Sequence, residues 1–305
     1  MRLLITGWQG QLAQALVAQS LRSGDVEACA AGRPALDLCS QPTIERSMTD
    51  VRPTLVINTA AYTAVDTAET EPAAAFALNA DGAGLIAKAA AQRGIPIIHV
   101  STDYVYDGCK SAPYVEGDAT NPINVYGRSK LAGEQAVIAA NPRHIILRTS
   151  WVYSATGKNF LRTMLRLGAE RQQVGVVHDQ FGCPTFAPHL ADAILHAARG
   201  VGGPGATSVA PSSPWGVYHA TGSGETSWHG FAAFIFAEAA ARGLKVPELK
   251  ALTTAEYPTP APRPANSRMD CSKLAAVFGV RQPEWQAGVR TCFDELAVGV
   301  HRVGA

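Results

Sequence analysis

Met1-Arg2-Leu3-Leu4-Ile5-Thr6-Gly7-Trp8-Gln9-Gly10-Gln11-Leu12-Ala13 opens the chain and decides its fold. Leu3 to Thr6 is a short unbroken apolar run, the pattern of a strand buried on both faces. Gln11 to Leu21 then has helical spacing at Leu12, Ala15, Leu16 and Ala18. The turn between them is built on Gly7 and Gly10. Small residues there let the backbone bend tightly and bring its amides and the helix amino terminus close to a pyrophosphate. The spacing is GxxGxxA, not the standard GxGxxG, and Ala13 fills the slot used for close helix–strand packing. A turn that merely uses glycine is the competing reading of the motif taken alone.

The same cycle repeats downstream. Leu55-Val56-Ile57-Asn58 is followed by an alanine-rich helix from about Ala73 to Arg93, closed by Gly94. Pro96-Ile97-Ile98-His99-Val100, a helix from about Tyr126 to Ala140, and His144-Ile145-Ile146-Leu147-Arg148 come next. Apolar strands separated by helices predict an α/β fold with a doubly wound parallel sheet of Rossmann type. The regularity loosens after about Trp151. Residues 1–150 are therefore expected to form a dinucleotide-binding domain, rejoined by a helix at about 185–200. Residues 151–305 are expected to form mainly a smaller mixed α/β substrate-binding domain. Gly202 to Pro214 reads as a surface loop, and Tyr257 to Pro264 is too proline-rich for a helix. Helices are expected at about Thr226 to Arg242 and Trp285 to Ala297.

Composition narrows the function classes. Lys+Arg at 26 against Asp+Glu at 25 leaves a formal charge of +1, so no net electrostatic case for nucleic acid or anionic lipid arises. The amino terminus reaches Gly7 before a secretory hydrophobic region can form, and no apolar run is long enough for a bilayer. The 6 cysteines are scattered without a CxxC pair, so a cytoplasmic protein with reduced thiols is expected. The 8 histidines show no paired-ligand spacing, and no metal site is expected. Gly157-Lys158 lacks the residues of a P-loop, and no GxSxG elbow occurs. The aromatic group Trp228, Phe231, Phe234 and Phe236 reads as core.

Two further stretches carry chemistry. The second strand ends in Cys29-Ala30-Ala31-Gly32-Arg33, where a carboxylate would grip a free ribose 2′-hydroxyl. Arg33 stands there instead and suits a 2′-phosphate, favouring NADPH over NADH, with a solvated surface charge as the bland alternative. Asp37 and Leu38, just beyond, are placed to reach the adenine edge. Tyr126-Gly127-Arg128-Ser129-Lys130 puts a phenol and an ammonium one helical turn apart. A cation beside the phenol favours the phenolate, and lowering its pKa by about 3 units needs roughly 4 kcal/mol. Ser101-Thr102-Asp103 ends the preceding strand, where such a sheet gathers its ligand. Thr102 is placed to hydrogen-bond a carbonyl oxygen that Tyr126 protonates.

With Asn58 to Asp66, Ser101 to Gly108 and Tyr126 to Glu134, these stretches resemble the extended short-chain dehydrogenase/reductases. Arg148-Thr149-Ser150-Trp151-Val152-Tyr153, Asp179-Gln180-Phe181-Gly182-Cys183-Pro184-Thr185 and Arg263 to Arg268 narrow the resemblance to the dTDP-4-dehydrorhamnose reductases. That resemblance runs almost end to end. It implies NADPH-dependent reduction, with NADH also accepted, of the C4 ketone of dTDP-4-dehydro-β-L-rhamnose in dTDP-rhamnose synthesis. By it, Tyr126 matches the proton donor, Lys130 the residue that holds the nicotinamide ribose and tunes that tyrosine, and Thr102 the carbonyl-polarising hydroxyl. Gly10, Gln11, Leu12, Asp37, Leu38, Ala61, Tyr62 and Thr63 match cofactor contacts. Thr102, Asp103 and Trp151 match sugar-nucleotide contacts. Some members carry Mg²⁺ between glutamates at a dimer interface, but Ala15 stands where one such ligand falls, so that site is not expected here. A monomer or a homodimer is expected. Rival readings are another nucleotide-sugar epimerase or dehydratase, which an acidic residue at position 103 also suits, and a non-catalytic regulatory subunit of the kind that serves methionine adenosyltransferase. The intact Thr–Tyr–Lys set argues for an enzyme.

Overall fold

The computed structural model describes residues 1–202 and 213–302. The amino-terminal half runs β1 (Arg2–Thr6), α1 (Gln11–Ser23), β2 (Glu27–Ala31), α2 (Gln41–Val51), β3 (Leu55–Asn58), α3 (Val65–Ala68), α4 (Pro72–Phe76), α5 (Ala83–Ala91), β4 (Ile97–Thr102), α6 (Val125–Ala140) and β5 (His144–Thr149). After it come β6 (Val152–Tyr153), α7 (Phe160–Glu170), β7 (Gln173–Val177), β8 (Phe181–Gly182), β9 (Thr185–Phe186), α8 (Ala187–Gly202) and β10 (Gly216–His219). The chain finishes with β11 (Thr226–Ser227), α9 (Trp228–Ala241), β12 (Glu248–Leu252), β13 (Asn266–Ser267), α10 (Ser272–Phe278) and α11 (Trp285–Arg302).

Six strands form one sheet in the order β10-β5-β4-β3-β1-β2, every pair parallel. β1 has β2 on one side and β3 on the other, so the crossovers reverse beside the glycine turn that follows it. Alternation along β1 explains the layers. Leu3 and Ile5 pack with Leu16 of α1 and Leu190 and Ile194 of α8, whereas Leu4 packs with Met48 of α2 and Ile86 of α5. The doubly wound sheet expected from the apolar runs is the observed fold.

Three local differences from the periodicity have physical causes. The alanine-rich stretch is helical throughout, but Ala77–Gly82 forms a π-helical turn between α4 and α5. Gly82 there lies against Leu38, where a Cβ would come within 2.9 Å of the Leu38 Cβ, and Asn79 turns inward. Such bulges cluster at functional sites. The helix α2, which the apolar runs did not single out, is mostly polar and buries a narrow i, i+3, i+4 stripe of Ile44, Ser47 and Met48. The edge strand β10 comes from far beyond residue 151, paired through Tyr218 and His219 to Leu147 and Arg148.

A second apolar core gathers Tyr153, Leu161, Phe186, Phe231, Ile235, Val289 and Phe293. Small two- and three-stranded sheets surround it. Most of the Gly202–Pro214 stretch lies outside the described residues. Among the described residues no helix is long and apolar enough to cross a membrane.

Candidate active site

A cleft of about 320 Å³ opens where β1, β2 and β3 end. Gly7, Gly10, Gly32, Arg33, Asp37, Leu38, Ala61 and Thr63 line it, together with Trp8, which the sequence had not singled out. Gly7 sits at φ +79°, a left-handed conformation that disfavours side chains. Its N–H donates to the Ala31 carbonyl at 2.9 Å, tying the turn to the end of β2. A Cβ at Gly10 would lie 3.1 Å from the Gly7 carbonyl oxygen. The first turn of α1 contains no acidic residue, and no side chain caps its amides. That end of the helix therefore presents free N–H groups and a positive dipole to an anion. These features fit a dinucleotide.

Three expected cofactor contacts point their side chains elsewhere. Leu12 is buried in the core against the sheet. The Gln11 Oε1 accepts from Ser154 Oγ at 2.9 Å and from Asn159 Nδ2 at 2.8 Å. The Tyr62 hydroxyl donates to Glu71 at 2.7 Å. The loop carrying Ala61 to Thr63 is held by Asn79, whose Oδ1 accepts from the Tyr62 N–H at 2.7 Å while its Nδ2 donates to Ser129 Oγ of α6 at 2.9 Å. Asn79 was not foreseen, because an asparagine inside an alanine-rich helix gives no local sign of a long-range bond.

β4 delivers Thr102 and Asp103 to the same end of the sheet, and α6 delivers Tyr126 and Lys130. Two bonds set the start of α6: Asn124 Oδ1 accepts from the Gly127 N–H at 2.7 Å, and Glu69 Oε1 accepts from the Val125 N–H at 2.7 Å. Thr102 Oγ1 donates to Asp103 Oδ1 at 2.9 Å and accepts from the Tyr104 N–H at 3.2 Å. The buried Lys130 Nζ donates to the Val100 carbonyl at 2.7 Å. Burial pushes the Tyr126 phenol up, ahead of the opposing influence of the nearby Thr102. Desolvation brings the Lys130 ammonium down to about 8. The expectation that Lys130 lowers the tyrosine is thus not met in this arrangement: both groups are out of water and the ammonium faces a carbonyl. A phenol held protonated is nonetheless what a proton donor requires. Burial likewise raises Asp103 to about 6, and its Oδ2 has no partner.

Beneath these groups lies a buried ion pair. Arg148 donates to both Glu134 oxygens at 2.9 and 2.6 Å, and Ser101 Oγ donates to Glu134 Oε1 at 2.5 Å. Arg148 also donates to the Tyr106 hydroxyl at 2.7 Å. Glu134 stands one turn beyond Lys130 on α6 and favours its charged form.

Over the site, the later residues form a second cleft of about 460 Å³ lined by Asp66, Tyr104, Arg171, Gln180, Trp228 and Arg263, among others. Trp151 is not among its lining residues. Its ring stacks on Trp228 at a centroid distance of 3.6 Å, and it rests on Gly182, where a Cβ would lie 2.6 Å from Cε2. Trp228, read from sequence as core, lines the cleft with Trp151 stacked on it; Phe231 and Phe236 are buried as expected. Arg263 pairs with Asp66, its Nη2 donating to Oδ2 at 2.8 Å, and its Nη1 donates to the Ala261 carbonyl at 2.6 Å. Tyr104 meets Tyr126 edge to face at 5.5 Å.

The family model described as the RmlD substrate binding domain matches residues 1–298. A dTDP-4-dehydrorhamnose reductase of Sinorhizobium fredii is 50% identical over 293 residues, covering 95% of this chain and 96% of that protein. The chain belongs to the dTDP-4-dehydrorhamnose reductase family. A solved dTDP-4-dehydrorhamnose reductase from Clostridium acetobutylicum superposes with a TM-score of 0.89 at 36% identity, covering 97% of this chain and 100% of that one. The reductase from Bacillus anthracis, solved in complex with NADP, gives 0.87 at 35% identity over 96% of this chain and 99% of that one. Ala15 lines a small cleft with Gln14, Gln19, Arg22 and Glu295. Among the described residues no group of three or more His, Cys, Asp or Glu side chains could hold an ion.

Proposed function

We propose that this chain reduces the C4 ketone of dTDP-4-dehydro-β-L-rhamnose to dTDP-β-L-rhamnose, with NADPH as the preferred hydride donor and NADH accepted more weakly. The convergence of Thr102 from β4 with Tyr126 and Lys130 from α6, at the strand ends that flank the glycine-turn cleft, carries this reading. When bound, the cofactor supplies the hydride. The amides at the start of α1 hold its pyrophosphate, and Arg33 meets its 2′-phosphate. The Thr102 hydroxyl polarises the ketone oxygen, and Tyr126 gives that oxygen its proton. Lys130 holds the nicotinamide ribose, its charge supported by Glu134 one turn away. Trp228 and Trp151 supply a flat apolar wall for the sugar nucleotide. We assign residues 1–150 and the α8 region at about 185–200 to nucleotide binding, and most of 151–305 to the sugar nucleotide.

The testing experiment compares NADPH oxidation with the dTDP-, GDP- and UDP-linked 4-ketosugars. Turnover is expected with the dTDP sugar; none on any of them would remove the reductase reading. Asp103, buried and raised to about 6, is the observation that favours the alternative of an epimerase or dehydratase. Such an enzyme would purify with tightly held NAD⁺ and show no net NADPH consumption.

A further inference from the structure

Trp8 stands between the two glycines of the first turn and is 48% exposed, an unusual position for so large an apolar ring. It lines the same 320 Å³ cleft as Gly32, Arg33, Asp37 and Leu38. A Cβ built on Gly32 would lie 2.3 Å from the indole Cδ1 and 2.9 Å from Nε1, so the ring rests directly on the end of β2. No residue but glycine leaves room for it there. The base of the ring is anchored as well, because Gly7 bonds the Ala31 carbonyl and Gly10 N–H donates to Gly7 at 2.8 Å. An aromatic plate is thus preformed, its pyrrole side set against the backbone at Gly32 and much of the rest left to solvent beside Arg33.

We propose that Trp8 is a cofactor-binding residue: its indole walls the adenosine end of the dinucleotide. The proposal rests on the nicotinamide-cofactor reading and assigns a division of labour within that site. The ring offers apolar contact that is indifferent to a 2′-phosphate, so it adds affinity for NADP⁺ and NAD⁺ alike, while Arg33 tells them apart. Gly32 belongs to the same device, because any side chain at that position displaces the plate.

Calorimetry with NADP⁺, NAD⁺ and 2′,5′-ADP, alongside tryptophan fluorescence, tests it on wild type, Trp8→Phe, Trp8→Ala and Gly32→Ala. The chain has 5 tryptophans, and 2′,5′-ADP covers only the adenosine end, so its fluorescence effect reports on Trp8. Trp8→Ala is expected to weaken all three ligands by a common factor of about three- to tenfold. Trp8→Phe should retain most of the affinity but lose the fluorescence change that 2′,5′-ADP causes in wild type. Gly32→Ala should mimic Trp8→Ala, and dTDP binding should stay unchanged in all variants. Wild-type affinity in Trp8→Ala, or a fluorescence change that persists in Trp8→Phe, overturns the assignment of Trp8 alone. Joint loss of dTDP binding and thermal stability in Trp8→Ala overturns it in favour of a structural role. Failure of wild type to bind either dinucleotide overturns the cofactor reading and this proposal with it.

Discussion

The floor and the roof of the candidate site are built on opposite terms. The floor is closed: Arg148 and Glu134 keep only 6% and 2% of their side chains exposed, and Thr102, Lys130 and Ser101 are buried and hydrogen-bonded around them. The roof is open. Its ion pair, Arg263 with Asp66, is 19% and 43% exposed, and its tryptophan stack borders a cleft of about 460 Å³. One chemistry, an Arg–carboxylate pair, serves the two regions differently. Removing one partner of a desolvated pair strands a buried charge, whereas water replaces a lost partner at the rim. On the proposed function, floor residues are expected to set the rate of the chemical step and roof residues the affinity for the sugar nucleotide.

The sharpest way to break that division is Tyr126→Phe. Removing the general acid is expected to lower kcat by about 10²–10⁴-fold while NADPH affinity stays near wild type. Turnover within a few-fold of wild type would show that Tyr126 is not the acid. Glu134→Ala should destabilise the fold by about 3–5 kcal/mol, because Arg148 and Lys130 lose their buried counter-charge. Asp66→Asn, the corresponding change at the rim, should alter stability by at most about 1 kcal/mol. Equal effects in denaturant melts of the two variants would erase the contrast between floor and roof.

Smaller effects sharpen the picture. Arg33→Ala should cut kcat/KM with NADPH by about ten- to a hundredfold, the value of a charge-assisted contact, and leave NADH nearly untouched. Equal loss with the two cofactors would make Arg33 structural. Trp228→Ala should raise KM for the sugar nucleotide by about tenfold with kcat preserved; a fall in kcat instead would place Trp228 with the floor. A final test concerns pH. With Lys130 near 8 against an ordinary 10.5, kcat/KM should fall as pH rises through about 8 and the ammonium loses its proton. Because this folded-state pKa is depressed, the unfolded chain binds more protons between those values, so this group's contribution to stability grows as pH rises across the same window. A rate profile that stays flat there would remove Lys130 charge from the mechanism.

Local pattern alone established the parallel sheet, the glycine turn and the placing of Thr102, Tyr126 and Lys130 at strand and helix ends. Apolar runs of four to six residues between amphipathic helices allow few other folds, and the ends of such strands are where ligands gather. Tertiary structure decided what no local pattern encodes. Asn79 reaches Ser129, Arg148 reaches Glu134, and Trp8 lies on Gly32, each across a gap in sequence that only the folded chain closes. It also decided that Trp228, read as core, lines the cleft stacked on Trp151, since only packing brings together two rings so far apart in sequence. The acidity of Tyr126 and Lys130 turned on the same kind of information: i,i+4 spacing places a phenol and an ammonium on one helix face, but burial, which raises the phenol and lowers the ammonium, outweighs their neighbours.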